Sequence, residues 1–488
     1  MAGRSFKSDD SFLRKLAIGA FGNLKVIENL QDQGYSPIEL ERGSTGYKIW
    51  KSIKIKRVRV PDILCLNSGV RIESRAKSKL VISMSHSNSD ETRSWNFGLK
   101  DDDYVALVKC ESNGDDPLDL EVSDLVQYIR VEDLNYAFEN DLVHDERQKG
   151  FGEGFESRIT WPASFASSSG KITNIDDQRI QFERIEDGRT ITLQRTKKGI
   201  DLTPLVKEGE EIVEGKVLAS VVNVTNQLNV KKDKGVDYYL EEINSLSISD
   251  RYGAAKALAY FFNDSVKDVL IKRLSNEKEH IYIKLEAAAS LIKNNVNEGY
   301  DFILSVLVSQ FLEQKLEAVI ILSEINNSRS IEILSEVLHN DNEHNEIRAG
   351  AAWSIGEIGK SDGTESLIES FKNVDDLIRV EAVRALAKIT ERYPNDILEQ
   401  FKKSDAEVRP GIAWALSKRK NWNYDILNAL DFNSVDSRQW AAYILGTNKE
   451  ADIIEEIEKL KKIDEELYFA VTVLWKKMSS WVFNLEEY

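Results

Sequence analysis

The chain has 488 residues, which predicts roughly two to four domains rather than one core. A hydrophobic content of 42% with 30% charged residues excludes a disordered chain, and two cysteines exclude a disulfide scaffold and any multi-cysteine zinc site. The net charge, 65 − 82 = −17, speaks against a nucleic-acid binder for the chain as a whole. Scarce cysteine, a polar start from Met1 to Asp10 and no run of ~18–20 apolar residues predict a cytoplasmic protein without a signal or a membrane helix.

The charge is uneven. Residues 1–100 carry 18 Lys/Arg against 10 Asp/Glu, residues 101–150 carry 4 against 15, and residues 151–488 carry 43 against 57. The basic block opens with a helix whose stripe is Leu13, Leu16, Ala17, Ala20, Phe21, Leu24 and Ile27, ending at Gly34. A basic run follows, Lys51, Lys54, Lys56, Arg57 and Arg59, leading into Val60-Pro61-Asp62-Ile63-Leu64-Cys65-Leu66. After a turn at Asn67-Ser68-Gly69 comes a strand over 70–79, on which Glu73, Arg75 and Lys77 share one face and Ile72, Ser74 and Ala76 the other. A two-strand hairpin brings Asp62 close to Glu73. Two carboxylates on adjacent strands beside a cation can hold a divalent metal and orient an attacking water.

The order helix, strand with Pro61-Asp62, strand with Glu73-x-Arg75 resembles the PD-(D/E)XK, or restriction-endonuclease-like, nuclease superfamily over about 10–130. Phe21-Gly22-Asn23 and the run from Trp95 to Lys109 extend the match. The resemblance implies Mg²⁺ (or Mn²⁺) on Asp62 and Glu73, assisted by Arg75 or Lys77. It departs from the family where Arg75 stands in place of Lys and where Asn23 stands in place of a first-helix acid, with Glu28 one turn later as a stand-in. Arginine keeps its proton, so Arg75 can stabilise charge but not act as a base. Nine Lys/Arg against two acids across 51–79 suit phosphate contact, assigned to Lys51, Lys54, Lys56, Arg57, Arg59, Arg71 and Lys79; a solvated strand face is the competing reading. Asp101-Asp102-Asp103 reads as a turn, and the acid-rich 111–146 as a solvated helix and loop.

Residues 155–240 read as a small all-β domain. Short alternating runs at 171–175, 179–182, 190–193 and 216–219 are broken by Asp187-Gly188, Lys198-Gly199 and Glu214-Gly215. The stretch Pro204 to Ala219 resembles the barrel-sandwich hybrid of biotinyl and lipoyl carriers, without the tripeptide that presents their modified lysine.

From residue 245 onward a unit repeats. A basic residue precedes a small-and-apolar stripe at Arg251, Lys284, Lys315, Arg348, Arg379, Arg409 and Arg438, spaced 33, 31, 33, 31, 30 and 29 residues, with a degenerate eighth copy near Leu467. Each period holds two helices that bury their apolar faces only by stacking, an α-solenoid over 245–488. The pattern resembles HEAT repeats of the short kind first noticed in bilin lyases. Pairing of the recurring Arg with acids of the preceding turn, as in Asp405 and Arg409, is expected to stitch repeats together; Trp353, Trp414 and Trp440 are expected to pack in the core.

The expectation is thus a multidomain chain: an α/β restriction-endonuclease-like domain over 1–150, the all-β segment, and seven to eight repeats. The first function is a metal-dependent endonuclease cutting DNA or RNA, with the solenoid binding a protein partner, a second subunit or nucleic acid, in a restriction or anti-phage role. The alternative is a non-catalytic scaffold with a degenerate nuclease fold that binds nucleic acid or protein.

Overall fold

The computed structural model describes residues 9–42, 53, 58–112, 119–147 and 157–419, with scattered residues between 437 and 469. The chain divides into two compact units, Met1–Ile49 with Arg57–Leu270, and Trp50–Lys56 with Ile271–Tyr488.

The first unit opens with helix α1 (Asp9–Asp32), which Gly34 ends at φ +79. Ala17, Ala20, Val26 and Leu30 are buried, whereas Leu24 of the predicted stripe is half exposed. The strands β1 (Pro37–Glu39), β2 (Ile63–Cys65), β3 (Arg71–Lys77), β4 (Ile82–His86), β5 (Tyr104–Ser112) and β6 (Leu120–Arg130) follow. Five of them form one sheet in the order β1-β2-β3-β5-β6, with β3 parallel to β5 and the other pairs antiparallel. Alternation along these strands builds two cores. Ile72, Ala106, Val108 and Cys110 face α1 with Val26 and Leu30. Val105, Leu107 and Ile129 face the opposite way. There they meet helix α2 (Val131–Glu139) and a second sheet of β4 with β7 (His144–Arg147) and β8 (Ser157–Trp161), through Ile82, Met84, Leu134 and Trp161. The approach of α1 to β3 is close: a Cβ on Gly22 would stand 2.3 Å from the Ala76 Cβ. The acid-rich stretch holds the expected helix only in part, as α2, and its residues 113–118 lie outside the described residues. Much of it is β6, held in the sheet because Val126, Tyr128 and Ile129 alternate between the two cores.

The middle segment is all β, as its alternation predicts. Its strands are β9 (Ala163–Phe165), β10 (Gly170–Ile175), β11 (Arg179–Arg184), β12 (Thr190–Gln194), β13 (Thr196–Lys197), β14 (Ile200–Asp201), β15 (Thr203–Pro204), β16 (Glu211–Ile212) and β17 (Val217–Ser220). They form the sheets β12-β11-β10-β16, β15-β17-β9 and β13-β14 around Ile172, Ile180, Phe182 and Leu218. Gly209 and Gly215, both at φ +82, make the turns around β16 that L side chains resist.

Helices α3 (Val236–Glu242), α4 (Ile248–Ala257) and α5 (Asp264–Ser275) come next. The division at Leu270 falls inside α5, so the first repeat compacts with the N-terminal unit. Tyr239 Oη donates to the Leu66 carbonyl at 2.8 Å, and Arg71 reaches Ser249 and Asp250.

The second unit is a helical array: α6 (Ile281–Lys293), α7 (Asn297–Leu307), α8 (Leu312–Ser323), α9 (Ser328–His339), α10 (Asn345–Ile358), α11 (Thr364–Glu369), α12 (Asp376–Arg392), α13 (Pro394–Lys403) and α14 (Arg409–Ser417). Small residues let these helices approach: a Cβ on Gly356 would stand 2.6 Å from the Ala385 Cα. The recurring Arg serves the repeat through carbonyls at the end of the preceding helix and in the turn and, at Arg348, through the expected acid of the preceding turn, Asp341 at 2.9 Å. Arg348 Nε donates to Leu338 O at 2.9 Å and Arg379 Nη1 to Asn373 O at 2.6 Å, while Arg409 binds Ser404 O. Arg251 in the first unit does the same with Ser245 O at 2.8 Å. Helix C-terminal carbonyls are short of donors, so a guanidinium there satisfies what the backbone leaves open. Asp405, expected to pair with Arg409, instead takes Lys372 at 3.0 Å. Trp353 and Trp414 are only half buried, under Lys388 (5.8 Å) and Lys418 (4.7 Å), and Trp440 is likewise half buried. Arg438 and Leu467 lie outside the described residues.

Candidate active site

Strand register builds the candidate site. Ile63 pairs with Ile72 and Leu64 with Arg71, so the next step outward sets Asp62 opposite Glu73. The Asp62 Oδ2 accepts the Ser74 N–H at 2.7 Å, which pins the carboxylate to β3. On its other side, the Asp62 carbonyl accepts Leu40 N–H at 2.7 Å and Glu41 N–H at 3.2 Å. Glu73 on β3, Asp62 just before β2 and Glu41 just after β1 are thereby brought to one place. Arg75, two residues along β3, binds Glu73 Oε1 through Nη2 at 2.6 Å.

The charges feel one another. Burial, then the charges of Glu73 and Glu41, raise the Asp62 carboxyl well above the usual carboxylate range; Arg75 and the Ser74 N–H only partly offset this. Burial pulls the Arg75 guanidinium down, and Glu73, Asp62 and Glu41 outweigh it, so Arg75 is held in its charged form. Arg59 also faces Glu73, Arg75 and Glu41, while its Nη1 donates to Ser94 O at 2.9 Å and Thr92 O at 3.2 Å.

Lys77 is on the same face of β3 but does not join this group. Its Nζ donates to Val81 O (3.0 Å), Ser83 O (3.0 Å) and Ser83 Oγ (2.9 Å), using all three protons to close the turn into β4. Burial, with Arg75 and Arg158 nearby, lowers its pKa to about 8. Arg71 departs furthest from its expected phosphate contact. It is buried, with Asp103 at 2.9 and 2.5 Å and Asp250 at 3.1 Å; Asp103 closes the expected turn, its N–H donating to Lys100 O at 3.0 Å, and the parallel β5 starts at the next residue. Lys79 is exposed and borders a separate cavity of about 740 Å³, shared with Lys109, His144, Lys197 and Lys198. Lys51, Lys54, Lys56 and Arg57 lie outside the described residues. Glu28 pairs with Lys25 at 2.9 Å on the exposed side of α1.

Glu41 is the member that sequence reasoning missed. Its only signal is position, just after a short strand whose partner is set by tertiary pairing. Among the described residues no three His, Cys, Asp or Glu side chains are arranged to hold a metal ion by themselves. The donor set therefore does not fit a closed transition-metal cage. A Mg²⁺ ion takes one or two protein carboxylates and fills its remaining positions with water and phosphate oxygens, so Asp62 and Glu73 are the residues that would hold one.

No helix among the described residues is long and apolar enough to cross a membrane. No curated protein matches this sequence. Among solved structures, the complex of CpcE and CpcF of phycocyanin lyase from Nostoc sp. PCC7120 is 15% identical, with 50% of this chain and 95% of that chain covered and a TM-score of 0.26. An engineered protein is 18% identical, covering 49% and 78%, at a TM-score of 0.25. Human deoxyhypusine hydroxylase in complex with glycerol is 13% identical, covering 43% and 83%, at a TM-score of 0.19. At these TM-scores the likenesses say nothing of ligand or activity. The model of HEAT repeats matches residues 300–387, so the periodic helices of the C-terminal region are an array of HEAT repeats.

Proposed function

We propose that the N-terminal unit is a metal-dependent phosphodiesterase acting on nucleic acid, carried on a HEAT-repeat scaffold that binds a protein partner. The observation that supports this most is the placing of Asp62 opposite Glu73, one step beyond the β2–β3 register, with Arg75 charged beside it. Burial and the neighbouring Glu73 and Glu41 raise the Asp62 carboxyl, an electrostatic setting that a bound divalent cation would relieve. Asp62 and Glu73 would hold Mg²⁺ or Mn²⁺, which supplies a polarised phosphoryl oxygen and an acidified water. Asp62 is oriented by the Ser74 N–H, so one oxygen is fixed and the other is left to a ligand. Arg75 stabilises negative charge growing on the phosphoryl oxygens and donates no proton. Arg59 adds a second guanidinium facing the group. A restriction or anti-phage role suits such a head on an interaction scaffold.

The Glu73–Arg75 ion pair favours a second reading. A carboxylate already neutralised at 2.6 Å is a weaker metal ligand, and the head then binds without cutting. Mg²⁺ and Mn²⁺ titrations with single- and double-stranded DNA and RNA, on wild type, Asp62→Ala and Glu73→Ala, separate the two. Metal-dependent cleavage lost in both variants is the expected result. Cleavage unchanged in both variants overturns the assignment, and salt-sensitive binding without any cleavage establishes the second reading.

A further inference from the structure

The cavity beside Lys79 has no part in the Asp62–Glu73 site. Its volume is about 740 Å³, inside the ~300–1,000 Å³ of cavities that take small molecules. Residues 78–81 after β3, the sheet of β4, β7 and β8, strand β9 and the β13–β14 hairpin line it, all within the first compact unit. Leu80, Val81, Pro162 and Phe165 make its walls largely apolar. The cations around it are not equivalent. Lys109 is taken by Glu111 at 2.8 Å and Glu214 at 2.5 Å, and Lys198 by Glu146 at 2.9 Å. Lys197 has no carboxylate partner among the described residues. Its Nζ donates to Ala163 O at 2.6 Å, which leaves two of its three protons. Burial lowers its pKa, and no neighbouring charge offsets the lost water. The hairpin holds it in place: Lys197 pairs with Ile200 across a two-residue turn, Lys198-Gly199, with φ +48 and +84. On the opposite wall, His144 Nε2 is buried without a hydrogen-bond partner among the described residues. A buried polar atom left so costs stability and marks a place that a ligand completes.

We propose that this cavity binds a small organic monocarboxylate with an apolar body, with Lys197 as its counter-ion and His144 Nε2 as a second donor to the carboxylate. The charge count selects the class. One inward ammonium without a carboxylate matches one negative charge. A nucleoside triphosphate or a nucleic-acid strand brings several, and would meet Glu111, Glu146 and Glu214, each more than half exposed around the cavity. An ammonium is a point charge that suits a single carboxylate without demanding a fork geometry. As the Nε2–H tautomer, the neutral imidazole donates to the same group. The apolar walls take the rest of the molecule, so its burial supplies the affinity and the two polar groups fix its orientation. None of Asp62, Glu73 and Arg75 lines the cavity, so the two sites are tested separately.

Equilibrium dialysis of the full-length chain against naphthoate, with naphthamide as its neutral counterpart, tests it. Four proteins are compared: wild type, Lys197→Met, His144→Leu and Ser167→Trp, the last narrowing the cavity from an exposed position on its edge. Wild type should bind naphthoate saturably with a Kd below about 1 mM. Lys197→Met should weaken naphthoate by about tenfold or more, as loss of a charged hydrogen bond does, and leave naphthamide within about twofold. His144→Leu should also weaken naphthoate, and Ser167→Trp should weaken both ligands. The His144 variant leaves the Lys197 bond to Ala163 in place, so it decides the question if Lys197→Met loosens the hairpin. Absence of saturable naphthoate binding in wild type overturns the proposal, as does naphthoate binding unchanged in His144→Leu or in Ser167→Trp. Displacement of naphthoate by an equal concentration of inorganic phosphate assigns the cavity to phosphate and equally overturns it.

Discussion

Replacing Arg71 by alanine removes five hydrogen bonds from one buried guanidinium. They reach Asp103 Oδ1 (2.9 Å) and Oδ2 (2.5 Å), Asp250 Oδ1 (3.1 Å), Ser249 Oγ (2.8 Å) and Gly98 O (3.3 Å). The two carboxylates left behind are unequal. Asp250 keeps Lys100 Nζ at 2.8 Å, while Asp103 keeps the Lys100 backbone N–H at 2.7 Å and loses its cation. Breaking a buried pair by deleting one partner costs about 3–5 kcal/mol, because the surviving charge has neither water nor a counter-ion. For a unit of this size each kcal/mol lowers Tm by ~2–4 °C, so a fall of roughly 6–20 °C is expected. Thermal unfolding followed by the fluorescence of buried Trp95 and Trp161 reads it. Arg71→Lys keeps the charge but not the fork, and should fall between wild type and Arg71→Ala. A phosphate-contacting surface arginine would cost no more than ~0.5 kcal/mol. A Tm change that small, with weakened nucleic-acid binding, would refute the buried-network account.

Asp62→Asn should raise the stability of the N-terminal unit at pH 7, since its amide oxygen can still accept the Ser74 N–H and the buried charge is gone. The sign follows from the raised carboxyl. The folded state holds this proton more tightly than the unfolded state, so the wild type loses stability as pH rises above the usual carboxylate range. The gain in the variant should therefore vanish below about pH 4, where the group is protonated in both states; urea unfolding at pH 4 and pH 7 checks this, and equal gains at both would sink it. Gly22→Ala places a Cβ 2.3 Å from the Ala76 Cβ and should cost about 1–3 kcal/mol. Ala76→Gly in the same chain should restore most of that loss, and a double-mutant cycle with no coupling would show that α1 and β3 do not meet there.

The two ends of the chain differ in how much their residues reveal. The HEAT array is legible because its information is local and repeated: a helical stripe, a basic residue and a small-residue face recur about every 31 residues from Arg251 to Arg409. The pairing of Asp62 with Glu73 is also legible, since one turn at Asn67–Gly69 fixes the register of the hairpin. Glu41 is not, because it enters through β1, a strand of three residues that pairs with β2 across a long intervening stretch. Lys77 shows the limit of alternation. The period of two places its Cβ on the face of Glu73, but the long side chain turns to the carbonyls of Val81 and Ser83. Asp103 shows another: three aspartates in a row read as a turn, which they form, yet the third is buried against a guanidinium 32 residues away in sequence.

By itself, the sequence determined the periodic helical array, the β-rich middle, the hairpin that sets Asp62 against Glu73 and the uneven placing of charge. All of these follow from short-range periodicity and turn chemistry. Only the tertiary structure decided what each charge does. It put Arg71 in a buried network, closed Lys77 onto a turn and added Glu41 to the acidic group. The physical reason is that a charged side chain takes its role from the nearest opposite charge and the local access of water, and both are fixed by residues far away along the chain.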